Sequence, residues 1–234
     1  MTQELLSEKP VGSIVKIEIE GDLWEFIVVH QGAPSNGDYI NFRDTTTLLM
    51  KHVYEQRAWH TIANFDEYNT SSIHSYLNST FRQKIDGFIR NQLVQVKIPY
   101  LSNPKSGYPV VNSGSNGLST RIFLLSASEI GFIVSAYNPF GEEGTRFDYF
   151  LEGFEATATY RRGARQKDNN SAMWWLRSFT RSVPAKVGVI GTSGATGNGG
   201  AYDNFWVRPA LVLPNTLAVV EDGTFQTNKA TTII

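Results

Sequence analysis

Trp174-Trp175-Leu176-Arg177-Ser178 and Val207-Arg208-Pro209-Ala210-Leu211-Val212-Leu213 are the two stretches whose reading decides the fold. Both have the short, apolar make-up of strands built for a core, and each carries one arginine. Between them, residues 188 to 200 hold six glycines with Thr192, Ser193, Thr196 and Asn198, a composition that does not form a packed core. The expectation is a rigid frame holding a permissive loop, which points first to recognition and second to catalysis. Pro209 has no N–H to donate, so its strand is expected at an edge or with a bulge.

With 234 residues and 41% hydrophobic content, the chain can bury a sizeable core, and one domain over residues 1–215 with a hairpin or arm over 216–234 is the simplest division. Its 21 basic and 22 acidic residues leave a net charge of -1, which argues against nucleic acid as a partner and against a polybasic membrane anchor. No run approaches membrane-spanning length, and the opening residues lack a secretory pattern, so synthesis in a host cytoplasm without membrane insertion is expected. Zero cysteines remove disulfides, thiolate zinc sites and cysteine nucleophiles.

Outward from the two core stretches, Val15, Ile17 and Ile19 alternate with Lys16, Glu18 and Glu20, and Gly21-Asp22 reads as the turn into a central strand from Leu23 to His30. Asp38 to Lys51 continues the sheet. From Thr70 the period becomes helical, with Ile73, Tyr76, Leu77, Phe81, Ile85, Phe88 and Ile89 on one face and a break near Asn78-Ser79. Residues 97 to 119 read as a long irregular excursion, Ile122 to Leu125 as a strand, and Ser126 with Glu129 as a capping box opening a short helix. A third helix is expected from Phe147 to about Tyr160, and a last hairpin or arm from Val219. The fold class is α+β, a mixed or antiparallel sheet with two or three helices and long loops.

Trp24, Leu77-Asn78, Phe123-Leu-Leu-Ser126 with Glu129, Trp175-Leu-Arg-Ser178 and Val207-Arg-Pro-Ala-Leu211 together resemble a family of uncharacterised domains common in bacterial and phage proteins. The closing block also resembles the end of C-type-lectin-like domains, among them phage receptor-binding proteins and the formylglycine-generating enzymes. That second resemblance implies a ligand face just before the closing arginine strand, at Asn198, Tyr202, Asp203, Asn204 and Trp206. The tripeptides of calcium-dependent sugar lectins do not occur here, and the oxidase branch needs cysteines, so no cofactor and no metal is expected.

Trp174 or Trp175 could stack on a sugar, but in a strand at least one must point into the core. Arg177 and Arg208 could grip a carboxylate ligand; the stronger reading is a structural pair with Glu129, which makes Trp175, Arg177, Arg208 and Glu129 a structural set. His30, His52, His60 and His74 show no metal spacing and are assigned no role. Glu142-Glu143 with Asp148 reads as a solvated loop before a calcium site, and Arg161-Arg162, Arg165 and Lys167 as a solvated helix end. No catalytic residue stands out. Paired acids drawn from Asp66, Glu129 or Glu155 keep a carbohydrate-active enzyme as an alternative. The leading expectation is a non-enzymatic phage virion protein that contacts a host-surface glycan or protein at the tail or a head fibre. A structural capsid-decoration or tail-assembly subunit is the rival. A homo-oligomer is expected alongside other virion proteins, with Phe225 to Ile234 as an exchanged arm.

Overall fold

The computed structural model describes residues 3–34, 37–61, 67–102, 110–132, 140–151, 155–180 and 186–226. It is mostly β, with two five-stranded sheets, smaller strand pairs and one continuous helical segment from Ser72 to Lys84. The first sheet runs, in spatial order, Ile122–Phe123, Ala210–Pro214, Thr45–Met50, Asp22–Gln31 and Ile14–Ile19. All of its pairings are antiparallel. Its opening hairpin turns through Glu20 and Gly21, both at positive φ (53° and 85°), the two-residue turn whose twist matches that of its flanking strands.

The second sheet runs Thr196–Gly200, Lys186–Ile190, Trp174–Phe179, Asn204–Trp206 and Gln56–Ala58. The two sheets share a ribbon. Thr45–Met50 pairs with Ala210–Pro214 in the first, and the same two lengths of chain cross together and pair again as Gln56–Ala58 with Asn204–Trp206 in the second. Pro209 sits at this crossing, one residue before its strand, so its missing N–H falls where the ladder changes sheets. The strand it introduces is interior, a correction to the expected edge.

Alternation places both faces of the first sheet in apolar surroundings. Phe26, Val28, Leu48, Leu211 and Leu213 belong to one core, and Ile27, Val29, Leu49, Ala210 and Val212 to the other. Trp175 enters the first core and Trp174 the second, both with no exposed surface, so neither indole is open to stack on a sugar. Ile73, Tyr76, Leu77, Phe81, Ile85 and Ile89 cover the first core from the helices. The expected break at Asn78-Ser79 is instead a π-turn over Leu77–Phe81. There Asn78 donates to His74 O and Ile122 O and accepts from the amides of Arg121 and Ile122, which ties the helix to the Ile122–Phe123 strand. The chain leaves the helix at Ile85, and Asp86 caps the next one, Gly87–Gln92.

Three other expectations change. Residues 97 to 119 are not an irregular excursion: Val96–Ile98 pairs with Leu118–Thr120 and Tyr100–Ser102 with Val110–Asn112, with Ile98 and Leu101 buried. The glycine-rich stretch is not a loop but a hairpin of Lys186–Ile190 and Thr196–Gly200. The third helix is a 3-10 turn, Asp148–Phe150, and a helix, Glu155–Arg162. At the C-terminal side, Ala218–Val220 pairs with Gln3–Leu5, and Phe225 bridges back to Val219 and packs in its own chain's first core. The rest of the expected arm, from residue 227, lies outside the described residues, as does Asp66.

Candidate functional site

Arg177 projects from the Trp174–Phe179 strand into a fully buried polar node. Its Nη1 and Nη2 donate to Glu129 Oε2 and Oε1 at 2.6 and 2.7 Å, and neither side chain has exposed surface. Nε donates to Pro99 O at 3.0 Å and Nη1 also to Leu124 O at 2.9 Å. Glu129 further accepts from Tyr39 Oη and from Ser126 N, while Ser126 Oγ accepts the Glu129 amide, so the capping-box bonds form around a turn without a helix following. Burial alone would lower the Arg177 pKa, but the charge and hydrogen bonds of Glu129 outweigh it and leave it raised. The neighbouring Glu143 is pushed up by burial, only partly offset by Arg177, and its Oε1 accepts Leu101 N. This node is closed to solvent and can act only as a lock between segments. Glu142-Glu143 and Asp148 do not converge as one acidic cluster either: Glu143 is in the node and Asp148 lies against His30.

Arg208 is not in that node, which corrects its expected pairing with Glu129. It stands where the ribbon changes sheets, 1% exposed, and donates to Met50 O at 2.8 Å, Arg162 O at 3.3 Å and Lys51 O at 3.4 Å. The guanidinium thus fills carbonyls that the broken ladder leaves without amides, and it lies 5.0 Å from the Trp174 ring centroid. Burial lowers its pKa to about 10.

Of the ligand face expected before the closing strand, Tyr202, Asp203 and Asn204 share one surface turn, and Asn198 lies exposed on the hairpin strand leading into it. Tyr202 is 61% exposed. Asp203 spends its carboxylate on the turn, accepting Gly200 N at 2.7 Å. Trp206 is half-buried and packs against the second core, away from this group. Beneath the turn, Phe205 meets Trp175 edge-to-face at 4.8 Å, which gives the exposed residues a stiff footing. Beside it, Asn204, Gln56, Arg57, Thr61 and Ser72 line a polar depression of about 280 Å³. His60 Nδ1 lies 2.8 Å from Ser72 Oγ there, the material of a nucleophile and base, but the same nitrogen accepts Ser72 N at 3.2 Å, a contact that fits a turn lock.

A second concavity, of about 260 Å³, opens at the other end of the hairpin. Lys51, His52, Arg161, Arg165 and Arg208 line it, together with Tyr149, Tyr160, Ser171, Thr192 and Ser193. The sequence treats Arg161 and Arg165 as a solvated helix end, and nothing in their spacing joins them to Lys51. The strand ladder does so: Arg165 O accepts Val53 N at 3.0 Å and Arg165 bridges to His52.

The architecture is that of a mostly β domain in which two sheets exchange a ribbon. The chain belongs to the family described as a domain of unknown function, DUF6273, which it matches over residues 43–215. No curated protein and no solved structure matches it. Among the described residues, no group of histidines and acids is arranged to hold a metal ion, and no helix is long and apolar enough to cross a membrane.

Proposed function

We propose that the chain is a non-catalytic recognition domain of C-type-lectin-like architecture, carried on a phage particle and binding a host-surface glycan or protein. The observation that carries this reading is the turn of Tyr202, Asp203 and Asn204, which stands exposed over the Trp175–Phe205 contact and directly before the Arg208 crossing. A large exposed aromatic on a rigid base, with amide groups beside it and a polar depression at Asn204, is the make-up of a surface that binds without transforming its ligand. The one internal acid–base node, Arg177 with Glu129, is sealed from any substrate.

The test is capture of the isolated chain on host bacteria. Binding that is lost in Tyr202→Ser and Asn204→Ala, with folding unchanged, supports the proposal. A chain that does not bind cells by itself points to a structural virion subunit. Release of sugar fragments from host glycans by the purified chain would make it an enzyme and overturn the reading.

A further inference from the structure

We propose that the concavity between the Arg161–Arg165 run and the tip of the glycine hairpin is a binding site for an oxyanion group, carboxylate or phosphate, borne by a small hydroxyl-rich ligand of the acidic-saccharide class. The site is separate from the Tyr202 face and does not rest on it. Ile190 pairs with Thr196 at the hairpin tip, whereas Lys186 pairs with Gly200 at the end that leads to Tyr202.

Charge is the first argument. Lys51, Arg161, Arg165 and Arg208 supply four cationic side chains to the lining, which holds no carboxylate among the described residues. Glu25 lies to one side, bonded to Lys51 at 2.7 Å, and answers one of these charges. Arg208 is the telling member, because it is buried and its hydrogen bonds go to three backbone carbonyls, with no carboxylate within ion-pairing distance among the described residues. Carbonyl dipoles satisfy its N–H groups but leave a full positive charge in a medium of low polarity, where an arriving anion is attracted far more strongly than at an open surface.

Geometry is the second. Arg161 Nη1 is anchored on Tyr149 O at 2.6 Å, and Arg165 Nη1 on Asn169 O and Oδ1, both at 3.1 Å, so the cations are positioned before any ligand arrives. The opposite wall is equally fixed: Gly194, at φ 83°, is packed against Thr159 O so closely that no side chain fits, which pins the hairpin tip on the Glu155–Arg162 helix. That tip presents the hydroxyls of Thr192 and Ser193 across from the guanidinium groups. A charged centre with hydroxyls around it and the open ring of Tyr160 at the rim, 83% exposed, suits an acidic sugar better than an apolar anion. A volume of about 260 Å³ lies just below the usual range of ligand sites, roughly 300–1,000 Å³, and so admits one ring and not a chain.

The experiment titrates the full chain with sodium glucuronate, inorganic phosphate and, as neutral control, glucose at constant ionic strength, reading heat of binding and Tm. Saturable binding of glucuronate or phosphate with a rise in Tm is expected, and none with glucose. Response to glucuronate alone assigns a carboxylate sugar, and response to phosphate alone a phosphorylated ligand. Lys51→Ala and Arg165→Ala, at the partly exposed wall, should each weaken binding about tenfold or more, since each removes a charged hydrogen-bond donor. Tyr202→Ser should leave this titration unchanged, so that the fate of the cell-binding face is read separately. Absence of saturable binding for both anions, or full binding retained by the double variant, overturns the proposal.

Discussion

Arg177 and Glu129 face each other in a two-bond ion pair, 2.6 and 2.7 Å, from which solvent is wholly excluded. The pair joins the Trp174–Phe179 strand to the turn after Phe123-Leu-Leu-Ser126 and, through Tyr39 and Pro99, to two further loops. Truncating one partner leaves the other charge buried alone, so Arg177→Met or Glu129→Leu should each cost about 3–5 kcal/mol in denaturant unfolding. The double variant should lose much less than the sum, a coupling that a thermodynamic cycle reads directly.

Arg208→Met tests the ribbon crossing. The substitution leaves the carbonyls of Met50, Lys51 and Arg162 without their donor, at a cost of about 1–3 kcal/mol per group before relaxation. Removal of an uncompensated buried charge offsets part of that, so a net loss of about 2 kcal/mol is expected. Unchanged unfolding stability would show that the guanidinium has no structural part in the crossing.

Glu143 provides a pH signature. Its carboxyl is buried and its pKa raised from the model value of 4.5, so in the native state it holds its proton to higher pH than in the unfolded chain. The native state therefore binds more protons, and this group's contribution to stability is present below pH 4.5 and lost as pH rises through the folded pKa. Glu143→Gln keeps an acceptor for Leu101 N and removes the titration. Relative to the parent, its Tm should climb between pH 4 and pH 7; a constant difference would count against a raised pKa.

Gly194→Ala tests the hairpin tip. A methyl group there meets Thr159 O, and φ at 83° is unfavourable for alanine, so a loss of about 1–3 kcal/mol is expected. Because Thr192 and Ser193 sit on the displaced turn, glucuronate or phosphate affinity should fall with it, which isothermal titration would register.

The opening hairpin, the helix face from Ile73 to Ile89 and the two core strands were legible because each carries a clear period. The glycine hairpin was misread for a physical reason. Gly188 and Gly199 are required by bulky neighbours: a Cβ on Gly188 would lie 3.1 Å from Ser178 O and 3.2 Å from Phe140, and one on Gly199 would strike the Phe205 ring. Glycine marked close approach there, whereas composition by itself suggests flexibility. The strands between Val96 and Thr120 are three residues long, too short for alternation to register among prolines and glycines. At Tyr202 and Asn204 the position before the closing strand pointed to exposed residues, but it carried no information on Trp206, which the second core claims. The basic concavity could not be read from local sequence at all, because Lys51, Arg165 and Arg208 meet only after the ribbon has formed.

That ribbon also bears on where the family segment begins and ends. Asn215 N donates to Asp44 O at 3.0 Å, so the two limits of residues 43–215 are hydrogen-bonded neighbours. The two strands that complete the first sheet, Ile14–Ile19 and Asp22–Gln31, nevertheless lie upstream of them. Excising 43–215 would turn Thr45–Met50 from an interior strand into a bare margin with unpaired amides, a template on which a second molecule could add its own strand. The homologous unit is thus smaller than the autonomous one, and expression boundaries chosen by homology would yield a self-associating fragment.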